Sequence, residues 1–201
     1  MYKNIVLFGA FLFLSCNQKE MKIARASESI QTEMNDFSPV YFEKNAQGEL
    51  AVQENGLIGN THWVISVDRE LTLEQIAPTL KKMVDKKFHK EGLHKDSKEI
   101  YFIYSDTLHK QLSYVKMPFR YIDVGRTTFS QENKENLYNF SVRSYSDFNE
   151  NIDAFFESKS DETKLHITLD KTISTEDFVA ILIEIQKRKL NDFIDENVSV
   201  L

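Results

Sequence analysis

Ile65-Ser66-Val67-Asp68-Arg69-Glu70-Leu71-Thr72-Leu73-Glu74-Gln75-Ile76 lines up with Ile167-Thr168-Leu169-Asp170-Lys171-Thr172-Ile173-Ser174-Thr175-Glu176-Asp177-Phe178. Each stretch reads as the end of a strand, an Asp, a basic residue, an apolar residue, a hydroxyl, an acidic first turn and then a helix. The Asp stops the strand. The hydroxyl accepts from backbone N–H groups that a helix start leaves without partners, and the acid favours the positive helix end. Thr72 and Ser174 are therefore the expected N-caps, and Thr72-Leu73-Glu74-Gln75 has the spacing of a capping box. The pattern reads either as an internal duplication or as two independent uses of one local grammar. Either way, two strand–turn–helix units predict a single α+β domain with a mixed sheet and about three helices.

Working outward, Val40-Tyr41-Phe42, a turn at Asn45-Ala46-Gln47-Gly48 and Leu50-Ala51-Val52 read as a hairpin. His62 to Val67 is a strand. Ile76, Leu80, Met83, Val84 and Phe88 recur at helical spacing, with Pro78 early enough to be tolerated and Gly92 as the stop. Ile100 to Tyr104 is a continuous apolar run, as a buried strand requires. Phe119 to Val124 and Leu137 to Tyr145 look like strands, and Phe148 to Phe156 like a short helix. Leu165 to Asp170 is a strand, Thr175 to about Leu190 a helix, and Val198 to Leu201 a terminal strand.

The N-terminus carries a different signal. Lys3, the apolar core Ile5 to Leu14 and a small residue before Cys16 form a secretory leader, about half the length of a spanning helix. The stretch Phe13-Leu14-Ser15-Cys16 resembles a bacterial lipoprotein signal, although Phe13 stands where Leu is usual. The resemblance implies cleavage after Ser15, acylation of Cys16 and a lipid-anchored chain at the cell envelope, on the outer membrane, facing the periplasm or the surface. Residues 1–15 are then the signal peptide, 16–37 a polar tether and 38–201 the globular domain. The charged pair Lys19-Glu20 partly resembles the export tag of surface lipoproteins. Asp106-Thr107-Leu108 resembles a bacterial O-glycosylation motif, which would make Thr107 the acceptor.

The formal charge is −6, and loss of Lys3 with the leader takes it to about −7. That balance argues against a nucleic-acid partner, which calls for a basic face. Cys16 is the only cysteine, so no intramolecular disulfide can form. With 15 Phe and 8 Tyr the chain has apolar mass for an ordinary core.

The paired units, followed by a helix and a short last strand, resemble the periplasmic domain of the ExbD/TolR family of biopolymer-transport proteins. The residues that carry this are Val64 to Asp68, Leu71-Thr72-Leu73-Glu74 and Ile100 to Asp106, then His166 to Lys171, Val179 to Lys189 and Val198 to Leu201. The resemblance covers about half the chain and implies a small module that pairs with envelope partners or binds envelope polymers. It does not extend to proton-driven work. The family carries its relay carboxylate in an N-terminal membrane helix, and the leader here holds no acid.

Side chains with chemistry are scattered. His62, His89, His94, His109 and His166 show no metal-ligand spacing, and His62 and His166 read as surface or half-buried residues at strand starts. No nucleophile elbow or phosphate-cradling loop occurs. The carboxylate pairs Asp161 and Glu162, Glu176 and Asp177, and Asp195 and Glu196 read as solvated charge in loops or first helical turns. No catalytic residue, metal site or cofactor is therefore expected, although glycosidase-type carboxylates can lie far apart in sequence. Lys81, Lys82, Lys86, Lys87 and Lys90 form a basic cluster: either the solvated back of a helix or a contact for anionic lipid or polysaccharide. Val179, Ile183 and Leu190 widen the apolar stripe of the last helix, either as core or as a partner face. The expected role is an accessory binding module of an envelope complex, with an envelope hydrolase or inhibitor as the alternative.

Overall fold

The computed structural model describes residues 21–54, 56–89, 98–125, 136–158 and 163–201, with the backbone alone at 89 and 158. Cys16, His94, Lys90, Gly92 and the Asp161–Glu162 pair lie outside the described residues.

The strands are β1 (Arg25–Ala26), β2 (Phe37–Lys44), β3 (Leu50–Gln53), β4 (His62–Val67), β5 (Ile100–Asp106), β6 (Gln111–Lys116), β7 (Tyr121–Val124), β8 (Leu137–Val142), β9 (Lys164–Leu169) and β10 (Ile194–Val200). The helices are α1 (Leu73–Val84), α2 (Tyr145–Ser158) and α3 (Thr175–Lys187). They build an α+β domain with two sheets in place of the single mixed sheet expected. In the first, β2, β4 and β5 are parallel neighbours, with β3 and β6 antiparallel at the flanks. The second, in the order β7-β10-β9-β8, is parallel throughout.

The two sequence units occupy equivalent places. β4–α1–β5 and β9–α3–β10 are both parallel crossovers, flanked on the outside by β2 and β8 respectively. Their turns have the same geometry. Asp68 Oδ1 accepts from the Glu70 N–H at 3.0 Å, and Asp170 Oδ1 accepts from the Thr172 N–H at 2.8 Å. Ser174 Oγ accepts from the Asp177 N–H at 3.0 Å, and Gln75 Oε1 accepts from the Thr72 N–H at 3.0 Å. Both caps fall at the positions read from the sequence. The turns also meet one another: Thr72 and Ser174 form an antiparallel bridge. The Leu73 N–H donates to the Ile173 carbonyl and the Thr175 N–H to the Leu71 carbonyl, each at 2.9 Å. This reciprocal exchange joins the two helix starts head to head.

One continuous core spans both sheets, and Phe102 of β5 meets Phe178 of α3 edge to face at 5.4 Å. Val179 and Leu190 are fully buried and Ile183 is 3% exposed. The wide stripe of α3 is thus covered by this chain's own sheets. Glu184, nearly buried on the same helix, accepts from Arg188 Nε at 2.6 Å, and Arg188 reaches on to Asp153 of α2.

Two expectations need correction. The sequence reads as a tether over 16–37, but residues 21–36 lie against the domain. Ala24 is fully buried, β1 pairs with the end of β5, and Gln31 bridges Tyr114 of β6. This strap is polar, yet its backbone finds partners in the sheets. The sequence pattern does not signal strand β6. Its buried positions include Ser113, which is fully buried and bonded to the Gln31 carbonyl, so its polarity pattern runs against the usual alternation.

Candidate functional site

Register shows where the two units part company. β4 and β5 pair without interruption from Trp63–Ile100 to Ile65–Phe102. In the second unit Ile194 pairs with Leu165, but the next β10 residue in register, Val198, pairs with Ile167. Asp195, Glu196 and Asn197 therefore drop out of the ladder with β9, while Asn197 keeps its pairing with Tyr121 of β7. A bulge bends a strand and re-aims side chains, and such features gather beside functional sites.

The re-aimed side chain is Asp195. Its Oδ2 lies 2.8 Å from His166 Nδ1, and His166 Nε2 lies 3.3 Å from Ser199 Oγ. His166 and Ser199 are buried. With Nδ1–H donating to Asp195, Nε2 is left to accept from the Ser199 hydroxyl. Asp195 Oδ1 accepts from the backbone and side-chain N–H groups of Asn197, at 3.2 and 3.0 Å. Burial alone would push the Asp195 carboxyl up, but the bonds from His166 and Asn197 hold it below the usual carboxylate value. By the alignment of the two units, Val64 stands in the first where His166 stands in the second. Packing alone therefore does not demand a buried histidine at this place in the fold.

Asp195 forms part of the wall of a cleft of about 600 Å³ beside the bulge. Three cations line it. Lys116 and Arg120 both reach Glu99, at 3.0 and 2.9 Å, and Glu99 is buried. Lys164 donates to the Asp192 carbonyl at 2.6 Å. Asp192 and Glu196 line the same cleft, and Glu196 comes within 3.7 Å of Arg120 Nε. The guanidinium of Arg120 also stacks 4.3 Å from the ring of Phe88. Three positive and three negative side chains thus surround one opening, several of them pinned by buried partners.

The sequence-level candidates fall elsewhere or change character. His62, at the start of β4, accepts from the Glu99 N–H at 3.0 Å, and burial, Lys98 and Lys87 together keep its imidazole below the usual value. Lys86 and Lys87 lie over the Trp63 ring, at 5.8 and 4.9 Å from its centroid, and Lys87 is tied to the Gly59 and Thr61 carbonyls. They brace a loop and are not spread as one free basic face. Thr107 is exposed, with its hydroxyl donating to the Ala26 carbonyl at 2.9 Å. Glu176 and Asp177 do sit in the first turn of α3, but Asp195 and Glu196 belong to a bulged strand. His166 reads as surface or half-buried in the sequence and is buried. Lys116, Arg120, Lys164 and Glu99 were not singled out in the sequence. One signal was there to find: three polar residues, Asp195-Glu196-Asn197, break the strand pattern between Ile194 and Val198. Among the described residues no three His, Cys, Asp or Glu side chains gather as a metal could use them. Likewise, no helix among them is long and apolar enough to cross a membrane.

Compared with family models, curated proteins and solved structures, the chain matches none of them.

Proposed function

We propose that this chain is a lipid-anchored cell-envelope protein, held at the outer membrane through Cys16, that acts as a binding or accessory module of an envelope complex. An ExbD/TolR-like, transport-associated role is part of the same proposal. The observation that carries the binding reading is the contrast between the open cleft and the closed line behind it. Three of the charges around the cleft, Lys116, Arg120 and Asp195, are held in place by buried partners, as a recognition surface needs. The Asp195–His166–Ser199 line lies inside the sheet.

That line also motivates the alternative, an envelope hydrolase. Its connectivity, carboxylate to Nδ1 and hydroxyl to Nε2, is that of a nucleophilic triad. Ser199 is only 1% exposed, however, so a substrate carbonyl has no path to its Oγ. The His166–Asp195 end of the line, together with Asn197, then serves to hold the bulge, and with it the cleft wall.

The anchoring half is tested by Cys16→Ser in the full-length precursor. The variant is expected to lose lipid labelling and leave the membrane fraction, and unchanged partition overturns it. The binding half is tested by Ser199→Ala. A binding module keeps ligand capture in this variant. A hydrolase loses its turnover.

A further inference from the structure

The docked strap sets how far the domain can stand from its lipid. Its first described residues are already tied down: the Lys22 carbonyl accepts from the Arg69 N–H at 2.8 Å, Ile23 bridges Asp68 and Ala24 is fully buried. On the reading that Cys16 carries the lipid, on which this inference rests, the link from Cys16 to Met21 is five residue steps. Fully extended, such a link reaches at most about 18 Å. A free tether over 16–37 would reach roughly 75 Å. A domain of this size is about 40 Å across, so the link is shorter than half its width.

The link enters at one end of the fold. The parallel strands β2 and β4 finish there, at Lys44 and Val67. The Asp68–Thr72 and Asp170–Ser174 turns meet there through the Thr72–Ser174 bridge, so β9 finishes there too, and the Lys171 N–H donates to the Leu201 carbonyl beyond β10. The cleft lies at the other end. Lys164 and Ile194 begin β9 and β10, and Lys116 pairs with Tyr101 near the start of β5. The six residues of β9 put about 20 Å between the two ends. Turning the cleft end down to the bilayer would need a link as long as most of the domain.

The side chains at the strap end suit lipid headgroups. Leu108, 68% exposed, lies on the β5–β6 turn, and Leu201 is exposed beside Lys171. Lys22 and Lys44 share Glu70, and Lys171 pairs with Glu74, so acids at this end are offset by long cations. Such side chains reach out to headgroups while their stems cover apolar surface.

We propose that the short link holds the end of the domain bearing the Asp68–Thr72 and Asp170–Ser174 turns against the lipid headgroups of the anchoring membrane, and that the β10 cleft opens away from it.

The test uses the full-length lipidated protein in vesicles of phosphatidylethanolamine and phosphatidylglycerol. Lipid-bearing Cys16 offers no thiol and the chain has no other cysteine, so a single introduced cysteine is labelled alone. Four exposed positions serve. Gln47→Cys and Thr172→Cys place a fluorophore at the strap end, where the Gly48 carbonyl accepts from Gln75 at the start of α1. Asn60→Cys and Asn191→Cys place it at the cleft end, ahead of β4 and β10. Lipid with a nitroxide on its headgroup quenches labels close to the bilayer. The strap-end labels are expected to be quenched at least about two-fold more than the cleft-end labels, given the roughly 20 Å between the ends. Inserting about 20 Gly and Ser residues between Glu20 and Met21 adds roughly 25 Å of r.m.s. reach and should erase the difference. Equal quenching at the four positions, stronger quenching at Asn60 and Asn191, or a difference that survives the insertion overturns the inference. Protein that does not float with the vesicles overturns the anchoring reading along with it. Flotation with even quenching overturns the orientation alone, so the two failures are distinguishable.

Discussion

Asp106 shows how much one residue can organise. It ends β5 and is fully buried, yet it stays ionised. Burial would raise its pKa, but the Ser29 hydroxyl, the His109 N–H and ring and the Leu108 N–H all donate to the carboxylate and hold it well below the ordinary range. The sign of the linkage follows. A folded-state pKa below the unfolded one contributes stability that is fully present above the ordinary carboxylate pKa, about 3.9, and is lost as pH falls towards the folded value. Acid unfolding followed by Trp63 fluorescence should therefore be less steep between about pH 2 and pH 4 in Asp106→Asn, which has no charge to lose. A variant that matches the parent across that window would show that Asp106 does not tie the strap to β5 through its charge. Asp106 also fixes the strap directly, since Ser29 belongs to it.

At the scale of elements, α3 is decided by what lies on both its sides. Phe178 to Ile183 holds no polar residue. From sequence, such a run suits either a helix wedged within one chain or a helix offering a face to a partner. The first sheet supplies a side that the local sequence does not show: Phe102 of β5 packs on Phe178, and Gln186 Oε1 accepts from the Lys116 N–H of β6 at 3.2 Å. Ile183→Asp would bury a charge with no partner. It should cost about 4 kcal/mol or more and leave little folded protein at 37 °C. Urea unfolding measures the loss, and a midpoint equal to the parent's would place Ile183 outside the core. The same scale explains the bulge. β9 and β10 hold Leu165, Ile167, Val198 and Val200 inward, and their ladder resumes its register at Val198 only after Asp195 to Asn197, which have no β9 partner in it.

For the whole molecule, the strap is the element that closes the fold. It enters at the carboxyl ends of β4 and β5, where Ile23 bridges Asp68 and the Arg69 N–H donates to the Lys22 carbonyl at 2.8 Å. It then pairs with β5, meets Tyr104 through the Ile30 N–H, bonds the flank of β6 at Tyr114 and continues into β2. Surface ion pairs from Arg25 to Glu176 and from Lys187 to Glu28 pin it to α3, and exposed pairs of this kind contribute little beyond direction. Deleting residues 21–36 removes a buried alanine and uncovers part of the β6 edge. It should cost about 3 kcal/mol or more, roughly 10 °C in Tm, and promote self-association through the bared strand. Calorimetry and gel filtration check both. A deletion variant that melts with the parent and stays monomeric would return the segment to the role of a free tether.

The sequence by itself determined the local grammar. Strand, Asp, hydroxyl cap and acidic first turn specify each other over a few residues, because capping and helix-end charge act within one turn. That is why both units, the hairpin at Asn45 to Gly48 and the helix starts at Thr72 and Ser174 were legible. Only the tertiary structure decided what depends on partners far along the chain. Whether the polar residues 21–36 dangle or dock depends on strands more than 70 residues away, such as β5 and β6. Likewise a pattern of alternation does not show that a buried serine in β6 finds the Gln31 carbonyl. The cleft draws Lys116, Arg120, Lys164 and Glu196 from separate segments, and a two-residue offset between β9 and β10 turns Asp195 towards His166. Register is set by the pairing of whole strands, and the charges it brings together carry no mark of one another in the sequence.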